Sequence, residues 1–356
     1  MFLVQAEHSF DFLSAEYAEL FSRSHATAFQ NPLWLDRLYA RLVPHVGAQP
    51  LVVTVRGRAD GRLVMVLPLL RQRRGAMRVV EFADLRVSDY ASPVCDELTF
   101  ARILRDQAAC AEIRQALMPY DLIRIQKMKD GAMALERLLD VPARTSMKMN
   151  AYAVTLSAPF AKWRADSMSR SYAKELDKKG RKLHRKVEIR FECAADPDAI
   201  RRTFHVMRDF RQRRFEDSDL LQKDTYFDFY LDTAISGAPA GLARTYTLFL
   251  DGQPIAGVWG ILHKRQFLVL LGGFDFAEYK NYSIGSLVFE HVARDCIARG
   301  DISLDFTIGD EPYKLLFGAR PTRMWMITRS GSRLGSIAHF VVDQLPWAKR
   351  LAKRLP

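Results

Sequence analysis

The sequence RQFLVLLGGF, residues 265–274, and the sequence DFAEYKNYSIGSLVFEHVARDCIARG that follows it, residues 275–300, decide the fold. The first ten residues are an apolar block ending in a glycine pair, which predicts a buried strand with a bulge or a close backbone approach at Gly272-Gly273. From Leu287, apolar residues recur at helical spacing until Arg299-Gly300. The segment therefore predicts a strand, a loop of small and polar residues, and a helix.

The loop before this helix contains Ser283, Gly285 and Ser286. A helix that begins after small residues leaves backbone N–H groups facing outward, and such groups bind phosphate or pyrophosphate. The alternative is a serine that caps the helix beside an ordinary glycine, because serine is a common cap residue. The sequence leaves both interpretations open.

A second apolar strand, residues 301–306, runs into TIGDEPYK, residues 307–314. Polar side chains crowd at the carboxyl end of this predicted strand, namely Asp305, Asp310, Glu311, Tyr313 and Lys314. Ligands bind at the carboxyl ends of strands in open α/β sheets. We therefore expect a functional site here.

This order of elements resembles the C-terminal half of the GNAT superfamily of acyltransferases. Within it the likeness is to the double-domain CelD-like acetyltransferases, which are similar to the Fem-type peptidyltransferases. The resemblance covers roughly residues 150–330, and the N-terminal half more loosely. The matching residues are Gly252, Ala256, Gly273-Phe274-Asp275, Ser283, Gly285, Gly300, Asp305-Phe306, Gly309, Glu311 and Tyr313-Lys314.

The resemblance implies acyl transfer from acyl-CoA, a co-substrate, with no permanently bound cofactor. Such a step needs a pyrophosphate site, donors for a developing oxyanion, a base for the acceptor and an acid for the leaving thiolate. The implied pyrophosphate site is Ser283, Gly285 and Ser286. The thioester oxygen would face backbone N–H groups of Leu271, Gly272 and Gly273.

The same resemblance suggests the catalytic residues. Asp305 and Glu311 are the candidate bases, although Asp305 could instead be a structural acid that caps the next turn. Tyr313 resembles the general-acid tyrosine of the superfamily, and its alternative is a core aromatic beside Phe317. Lys314 is a candidate cofactor-binding residue that could face a phosphate, and its alternative is an ion pair with Asp310 or Glu311.

Size and composition limit the class of protein. The chain has 356 residues, of which 49% are hydrophobic, and this length suits two domains. Four cysteines stand far apart without a C-x-x-C pair, and no H-E-x-x-H occurs, so we expect neither a metal site nor a disulfide framework. No basic leader and no apolar run near ~18 residues is present, which suggests a cytoplasmic protein. The net charge of +12 favours anionic partners.

The two halves repeat one plan. Each contains a hairpin closed by an Asp-Gly turn, at Asp60-Gly61 and at Asp251-Gly252, followed by a third strand, a loop with tyrosine, a helix and a strand. We therefore predict an α/β fold of two tandem GNAT-like domains, each a mixed, mostly antiparallel sheet flanked by helices. The predicted parts are a degenerate N-terminal domain over 1–150, an acyltransferase domain over 151–330 and a basic amphipathic tail over 331–356.

Three residues are candidates for the acceptor side. Asp89 and Tyr90 occupy the N-terminal loop equivalent to the one before the phosphate-binding helix, and an S-D-Y tripeptide recurs there in the resembled family. Trp259, in the middle of a predicted strand, could border the same cleft. The alternative for Trp259 is the core, where strand tryptophans are usually found.

Residues 160–186 predict a basic helical stretch broken near Gly180, and nine Lys and Arg stand against three acids between Arg170 and Arg190. Such a face is commonly just solvated, but the acyl donor of Fem-type relatives is an aminoacyl-tRNA, whose phosphates would suit it. Other nucleic acid is disfavoured because stacking aromatics are sparse. The basic tail could contact an anionic membrane surface or pack on its own domain.

Together these observations predict an acyl-CoA-dependent N- or O-acyltransferase. Its acceptor would be a small molecule or a glycan precursor, such as a polysaccharide or cell-envelope precursor. One alternative is a Fem-type peptidyltransferase that uses aminoacyl-tRNA. The other is a non-catalytic scaffold that binds an anionic surface.

Overall fold

The computed structural model describes residues 2–185 and 188–337, which divide into two compact units. Unit 1 contains the described residues up to Lys148 and those from Arg323 onward, and unit 2 contains Met149–Thr322. The sequence predicts a second domain over 151–330, whereas unit 2 ends at Thr322 and strand Arg320–Ser330 pairs with a strand of unit 1. Most of the predicted tail over 331–356 lies outside the described residues.

Unit 1 is a sheet with helices. Its strands are β1 (Phe2–Glu7), β2 (Gln49–Gly57), β3 (Leu63–Arg74), β4 (Met77–Phe82), β5 (Leu122–Lys129) and β12 (Arg320–Ser330), in the spatial order β1-β2-β3-β4-β5-β12. Its helices are α1 (Ala15–Arg23), α2 (Pro32–Arg37), α3 (Val43–His45), α4 (Glu97–Arg105), α5 (Gln107–Ala116) and α6 (Leu135–Leu138). β4 and β5 run parallel, and the other neighbours are antiparallel.

Unit 2 repeats this arrangement. Its strands are β6 (Thr145–Thr155), β7 (Ile189–Ala194), β8 (Ala243–Leu250), β9 (Gln253–His263), β10 (Gln266–Phe274) and β11 (Ser303–Ile308), in the order β6-β11-β10-β9-β8-β7. Its helices are α7 (Phe160–Ser167), α8 (Arg170–His184), α9 (Pro197–Phe215), α10 (Asp224–Gly237), α11 (Phe276–Tyr279), α12 (Ile284–Ala298) and α13 (Tyr313–Leu316). Only β10 and β11 run parallel among the pairs described. The predicted fold class, two mixed and mostly antiparallel sheets with flanking helices, is confirmed.

The basic stretch is interrupted elsewhere than predicted. α8 continues through Gly180, and the break falls between α7 and α8, where the Ser169 hydroxyl accepts a hydrogen bond from Tyr172 N. Gly180 lies inside α8 because α12 passes close by, with a Leu287 methyl 3.7 Å from where a Cβ would stand. A glycine that suggested a helix end thus serves helix–helix packing.

The helices of unit 2 cover both faces of its sheet. Alternate side chains of a strand point to opposite faces. Val258 joins α8 and α12 in one apolar core. Its neighbour Trp259 packs on the other face, with ring centroids 5.7 Å from Phe204 of α9 and 5.5 Å from Tyr230 of α10. α9 and α10 therefore lie on one face and α8 and α12 on the other.

The parallel strands of unit 2 separate soon after they meet. β10 and β11 pair only from Gln266 opposite Ser303 to Leu268 opposite Asp305. Beyond that point β10 changes register against β9 between Val269 and Leu271, and β11 changes register against β6 between Asp305 and Ile308. Such bulges bend strands. The two strands consequently diverge and leave a slot between them.

Unit 1 has the same irregularity at the equivalent place. β4 and β5 pair over two residues only, and β5 changes register against β12 between Ile125 and Met128, with Lys127 at φ +61°. Thr307 has the matching position in β11, at φ +57°. In unit 1 the Lys127 ammonium holds a loop over the strand end, because Nζ donates to the Ser88 carbonyl at 2.7 Å and lies 3.2 Å from Asp84. The shared bulge supports an internal duplication.

Candidate active site

A cavity of about 1130 Å³ lies in unit 2, in the slot where β10 and β11 diverge. Four segments contribute its walls: the end of α9, the middle of β10 with the loop after it, the start of α12 and the residues after β11. The lining residues discussed below are Arg211, Arg213, Arg214, Leu271, Gly272, Ser283, Gly285, Ser286, Glu311, Tyr313 and Lys314. Of the polar residues predicted to crowd at this strand end, Glu311, Tyr313 and Lys314 line the cavity.

The start of α12 is the first feature of this cavity. Ser283 precedes the helix in the left-handed conformation, at φ +52°, and no side chain in the described part of the chain caps the helix. The Ser283 hydroxyl instead accepts a hydrogen bond of 2.6 Å from Lys179 Nζ of α8. The first N–H groups of a helix have no partner inside it. Gly285 at this helix start lines the cavity, and because the Ser283 hydroxyl does not cap the helix, the serine-cap alternative does not hold.

Three lysines lie near this helix start, and one of them, Lys179, also pairs with Glu175. Lys179 is bonded to Ser283, Lys182 lies 5.2 Å from the centre of the Tyr282 ring, and Lys280 lines the cavity. Free N–H groups and nearby ammonium groups both favour an anion. Ser283, Gly285 and Ser286 are placed together as the sequence predicted.

The strand β10 supplies the floor. Leu271 and Gly272 line the cavity beyond the last pair with β11. Gly273 does not line it, because it faces α9: a Cβ there would stand 2.6 Å from Met207 Cα, which is too close for any side chain. Gly273 therefore permits α9 to pack against β10. Of the three β10 residues predicted to contact a cofactor, Leu271 and Gly272 line the cavity.

Tyr313 is the best placed proton donor. Its half-buried ring stacks on Phe289 at 5.3 Å and meets Phe306 edge-on at 5.8 Å, and it lines the cavity. Burial raises the pKa of the Tyr313 hydroxyl well above its ordinary value, the nearby Glu311 carboxylate adds to the rise, and the Arg214 guanidinium opposes it. The hydroxyl is protonated at neutral pH and can donate.

Lys314 has a different place from the one expected. Its side chain is 2% exposed, and Nζ donates to the carbonyls of Thr307, Ile308 and Gly309 at 3.3, 3.2 and 2.9 Å. The same ammonium lies 2.9 Å from Glu311 Oε2. Its hydrogen bonds hold the end of β11 and the Glu311 carboxylate, so the ion-pair alternative describes Lys314 better than a phosphate contact.

Glu311 remains a candidate base. Its side chain is 56% exposed at the cavity wall, where water and an acceptor can reach it. The carboxylate lies over Gly309, which has φ +128° and where a Cβ would be 2.5 Å from Oε2. Gly309 thus makes room for the carboxylate.

Asp305 lies away from the cavity walls. It is 1% exposed, and its Oδ1 accepts a hydrogen bond of 2.8 Å from Thr307 N across the β11 bulge. A buried carboxylate that supports the backbone cannot meet an acceptor. Asp305 therefore takes the structural role named as its alternative.

The three acceptor-side candidates do not line this cavity. Trp259 is fully buried in the core between α9 and α10. Tyr90 is buried in unit 1, with its ring 5.6 Å from that of Phe29 and 3.7 Å from Lys129 Nζ, and Asp89 beside it is partly exposed. The walls come from unit 2 alone. The acceptor role of Asp89 and Tyr90 stays a prediction.

Sequence reasoning missed the arginines of α9. The run Arg211-Gln-Arg-Arg-Phe215 ends this helix at the cavity. Arg211 forms a bidentate pair with Asp219, 2.7 Å for each contact, and donates to the Gly272 carbonyl at 3.1 Å. Three arginines in four residues could have drawn attention, but nothing local indicates that this helix end meets β10.

Neither a metal-binding cluster nor a membrane-spanning helix is found among the described residues. Within 2–185 and 188–337, no group of three or more His, Cys, Asp or Glu side chains is arranged to hold a metal ion. Across the same residues, no helix is both long and apolar enough to cross a membrane.

Comparison with known proteins places the fold. Residues 170–315 match the family model described as an acetyltransferase (GNAT) domain, and no curated protein matches the chain. FemX is similar in structure, with a TM-score of 0.61 at 12% identity over 90% of this chain and 96% of that one. A tandem GNAT protein from the clavulanic acid biosynthesis pathway has a TM-score of 0.51 at 12% identity, covering 93% and 99%.

A third similar structure is the C-terminal domain (DUF2156) of a putative lysylphosphatidylglycerol synthetase from Agrobacterium fabrum, with a TM-score of 0.51 at 11% identity, covering 86% and 96%. Fold and cavity together define a double-domain α/β protein whose second unit holds the candidate site. Residues 170–315 are similar to a GNAT acetyltransferase domain, and the chain as a whole shares its fold with FemX and with the tandem GNAT protein.

Proposed function

We propose that unit 2 transfers an acyl group, in the simplest case acetyl, from acyl-CoA to an amine or hydroxyl acceptor. The start of α12 carries this proposal. It has no side-chain cap among the described residues, it lies beside Lys179 and Lys280, and it meets the slot between β10 and β11. A pyrophosphate there would satisfy the first N–H groups of the helix.

The diverging strands suit the thioester arm. Backbone groups that lose their strand partner beyond Leu268 need other hydrogen-bond partners. An extended pantetheine carries amides that can provide them. In this arrangement the thioester carbonyl would lie near the β10 backbone at Leu271 and Gly272, where N–H groups can stabilise the oxyanion.

The chemical step then uses Glu311 and Tyr313. The acceptor nitrogen or oxygen attacks the thioester carbon and gives its proton to Glu311, directly or through water. The tetrahedral intermediate collapses as the C–S bond breaks, and the thiolate takes the proton of the Tyr313 hydroxyl. Solvent returns the proton to Tyr313 and removes the one on Glu311. The acceptor we favour remains a polysaccharide or cell-envelope precursor, as the resemblance implies.

A second candidate is transfer from aminoacyl-tRNA, the donor of Fem-type enzymes. One observation favours it: the basic helix α8 lies against the start of α12, through the Lys179–Ser283 hydrogen bond. Lys182 of α8 lies 5.2 Å from the centre of the Tyr282 ring, and Lys174, Lys178 and Arg181 add positive charge to the same helix. A tRNA acceptor stem would find phosphate contacts there.

Calorimetric titration of the protein with CoA and acetyl-CoA tests the first proposal. We expect a dissociation constant on the order of 1–100 µM, within the usual range for enzyme substrates. Absence of binding at ~1 mM CoA, with tRNA binding that weakens steeply as salt rises, would favour the second candidate. Binding to anionic liposomes alone would favour the scaffold. A screen of acceptors by free-thiol release then identifies the acceptor class.

A further inference from the structure

The end of α9 carries arginines of two kinds. Arg208 and Arg211 are paired: Arg208 donates to Asp224 at 2.7 Å, and Arg211 is clamped to Asp219. Arg213 and Arg214 are exposed, and with the side chains that the structure describes neither forms an ion pair. The first two hold the loop after α9, and the last two keep their charge at the cavity.

Aromatic rings position these two guanidinium groups. Arg213 lies 5.5 Å from the centre of the Phe210 ring. Arg214 lies 4.9 Å from both Phe215 and Phe276. Cation–π contacts restrain a guanidinium without neutralising it, so its N–H groups and its charge stay available to a ligand.

These arginines and the expected donor site belong to opposite sides of the sheet. α12 packs on the face that carries the Val258 core, and α9 packs on the face of Trp259. The cavity reaches both helices through the slot between β10 and β11. A donor whose pyrophosphate binds at α12 therefore leaves the α9 side for the second substrate.

The arginine charge also reaches the reacting position. Arg214 lowers the pKa of the Tyr313 hydroxyl against the larger effect of burial. Arg214 and Tyr313 line the same cavity, so an anion held by Arg214 would share that space with the proposed proton donor. Arg211 also lines the cavity, but its charge is paired with Asp219.

We propose, on the basis of the acyl transfer proposed above, that Arg213 and Arg214 bind an anionic group of the acceptor, a phosphate or a carboxylate. The acceptor is then an amine or alcohol that bears such a group near its nucleophile. A planar guanidinium matches both oxyanions with two parallel hydrogen bonds. The same charge excludes cationic acceptors such as polyamines.

Binding of inorganic phosphate to the CoA-saturated protein tests the site directly, because CoA occupies the helix α12 side. Line broadening in ³¹P spectra gives the affinity. We expect the double variant Arg213→Ala/Arg214→Ala to bind phosphate at least fivefold more weakly than the parent protein. The control is Arg201→Ala/Arg202→Ala, which removes two exposed charges from the same helix away from the cavity. Equal phosphate affinity in both double variants would overturn the proposal.

A pair of acceptor probes distinguishes a free anion from an anionic acceptor. Glucosamine 6-phosphate and glucosamine differ only in the phosphate, and thiol release from acetyl-CoA and binding are measured for each. We expect a preference of at least tenfold for the phosphorylated amine, lost in Arg213→Ala/Arg214→Ala with the KM for acetyl-CoA unchanged. A lack of preference in both rate and binding, or a raised KM for acetyl-CoA, would contradict the assignment.

The test of CoA binding and the test of the arginine site can fail independently. If CoA does not bind, the acyl-CoA proposal fails. The phosphate titration without CoA still compares the two double variants, so the arginine site is tested in either case.

Discussion

Lys179 Nζ donates a 2.6 Å hydrogen bond to the hydroxyl of Ser283, the residue that precedes α12. A serine at this position is a natural cap for α12. Ser283 instead has the left-handed conformation and its hydroxyl does not cap the helix, so the first N–H groups of α12 have no side-chain cap. The contact therefore connects α8 to the start of α12, which is the anion site of the proposed function.

An acid at the helix start should compete with the donor. Gly285→Asp places a carboxylate beside the first N–H groups, and we expect it to weaken CoA binding at least tenfold. Its stability should be unchanged or higher by about 0.3–1 kcal/mol, because acids favour helix N-termini. Calorimetry and thermal unfolding measure the two effects. Gly285→Ala is the control, since a Cβ there is 3.7 Å from its nearest neighbour; equal CoA affinity in both variants would contradict the site.

Removal of the Tyr313 hydroxyl should slow the chemistry. Tyr313→Phe keeps the ring stack on Phe289 but cannot protonate the thiolate. We expect kcat to fall by ~10²-fold or more, the usual contribution of a general acid, with CoA affinity within about twofold of the parent. Steady-state thiol release with a reactive acceptor gives the comparison. An unchanged kcat would remove Tyr313 from the mechanism.

Substitutions of Asp305 and Glu311 should have different effects, the first on the free energy of unfolding and the second on kcat. Asp305→Ala deletes a buried acceptor of the Thr307 N–H, and we expect a loss of about 1–3 kcal/mol in the free energy of unfolding. At a temperature where it is folded, its kcat should stay near that of the parent. Glu311→Gln should show the reverse, lower kcat with little change in unfolding. The opposite pattern would restore Asp305 as the base.

His291 should make the protein sensitive to mild acid. Burial lowers its pKa to about 4, with help from the charges of Arg294 and His184. Between pH ~6.5 and ~4 the unfolded chain binds a proton there that the folded protein excludes, so stability falls as the pH decreases through this window. We expect His291→Gln to flatten that dependence by roughly 1–3 kcal/mol in unfolding titrations, whereas His8→Gln, at an exposed position, should not.

This pH effect can be told apart from that of the buried carboxylates. Hydrogen bonds from Arg78 N and the Ser332 hydroxyl hold the pKa of Asp121 at about 2. Its contribution is complete above pH ~4 and is lost only as the pH falls toward ~2. Acid sensitivity that persists in His291→Gln between pH 6.5 and 4 would show that another group titrates there.

Local patterns in the sequence were enough to predict the strands around the glycine pair, the helix after Ser283, the repetition of one plan in both halves and the concentration of polar residues after Phe306. These features depend on hydrophobic periodicity and turn residues, which are properties of neighbouring positions. The same patterns placed Ser283, Gly285, Glu311 and Tyr313 at the site, and the described structure brings all four to one cavity.

Only the tertiary structure decided which of several residues of the same type line the cavity and which are structural. The Ser283 hydroxyl contacts Lys179 and does not cap α12, Asp305 is buried with its carboxylate bonded to Thr307 N, and Gly273 faces Met207. Arg213 and Arg214 reach the cavity because α9 packs across β10, while Arg211 is neutralised by Asp219. Each of these placements depends on a residue from a distant segment or on how two strands diverge. The local sequence pattern does not specify such long-range contacts.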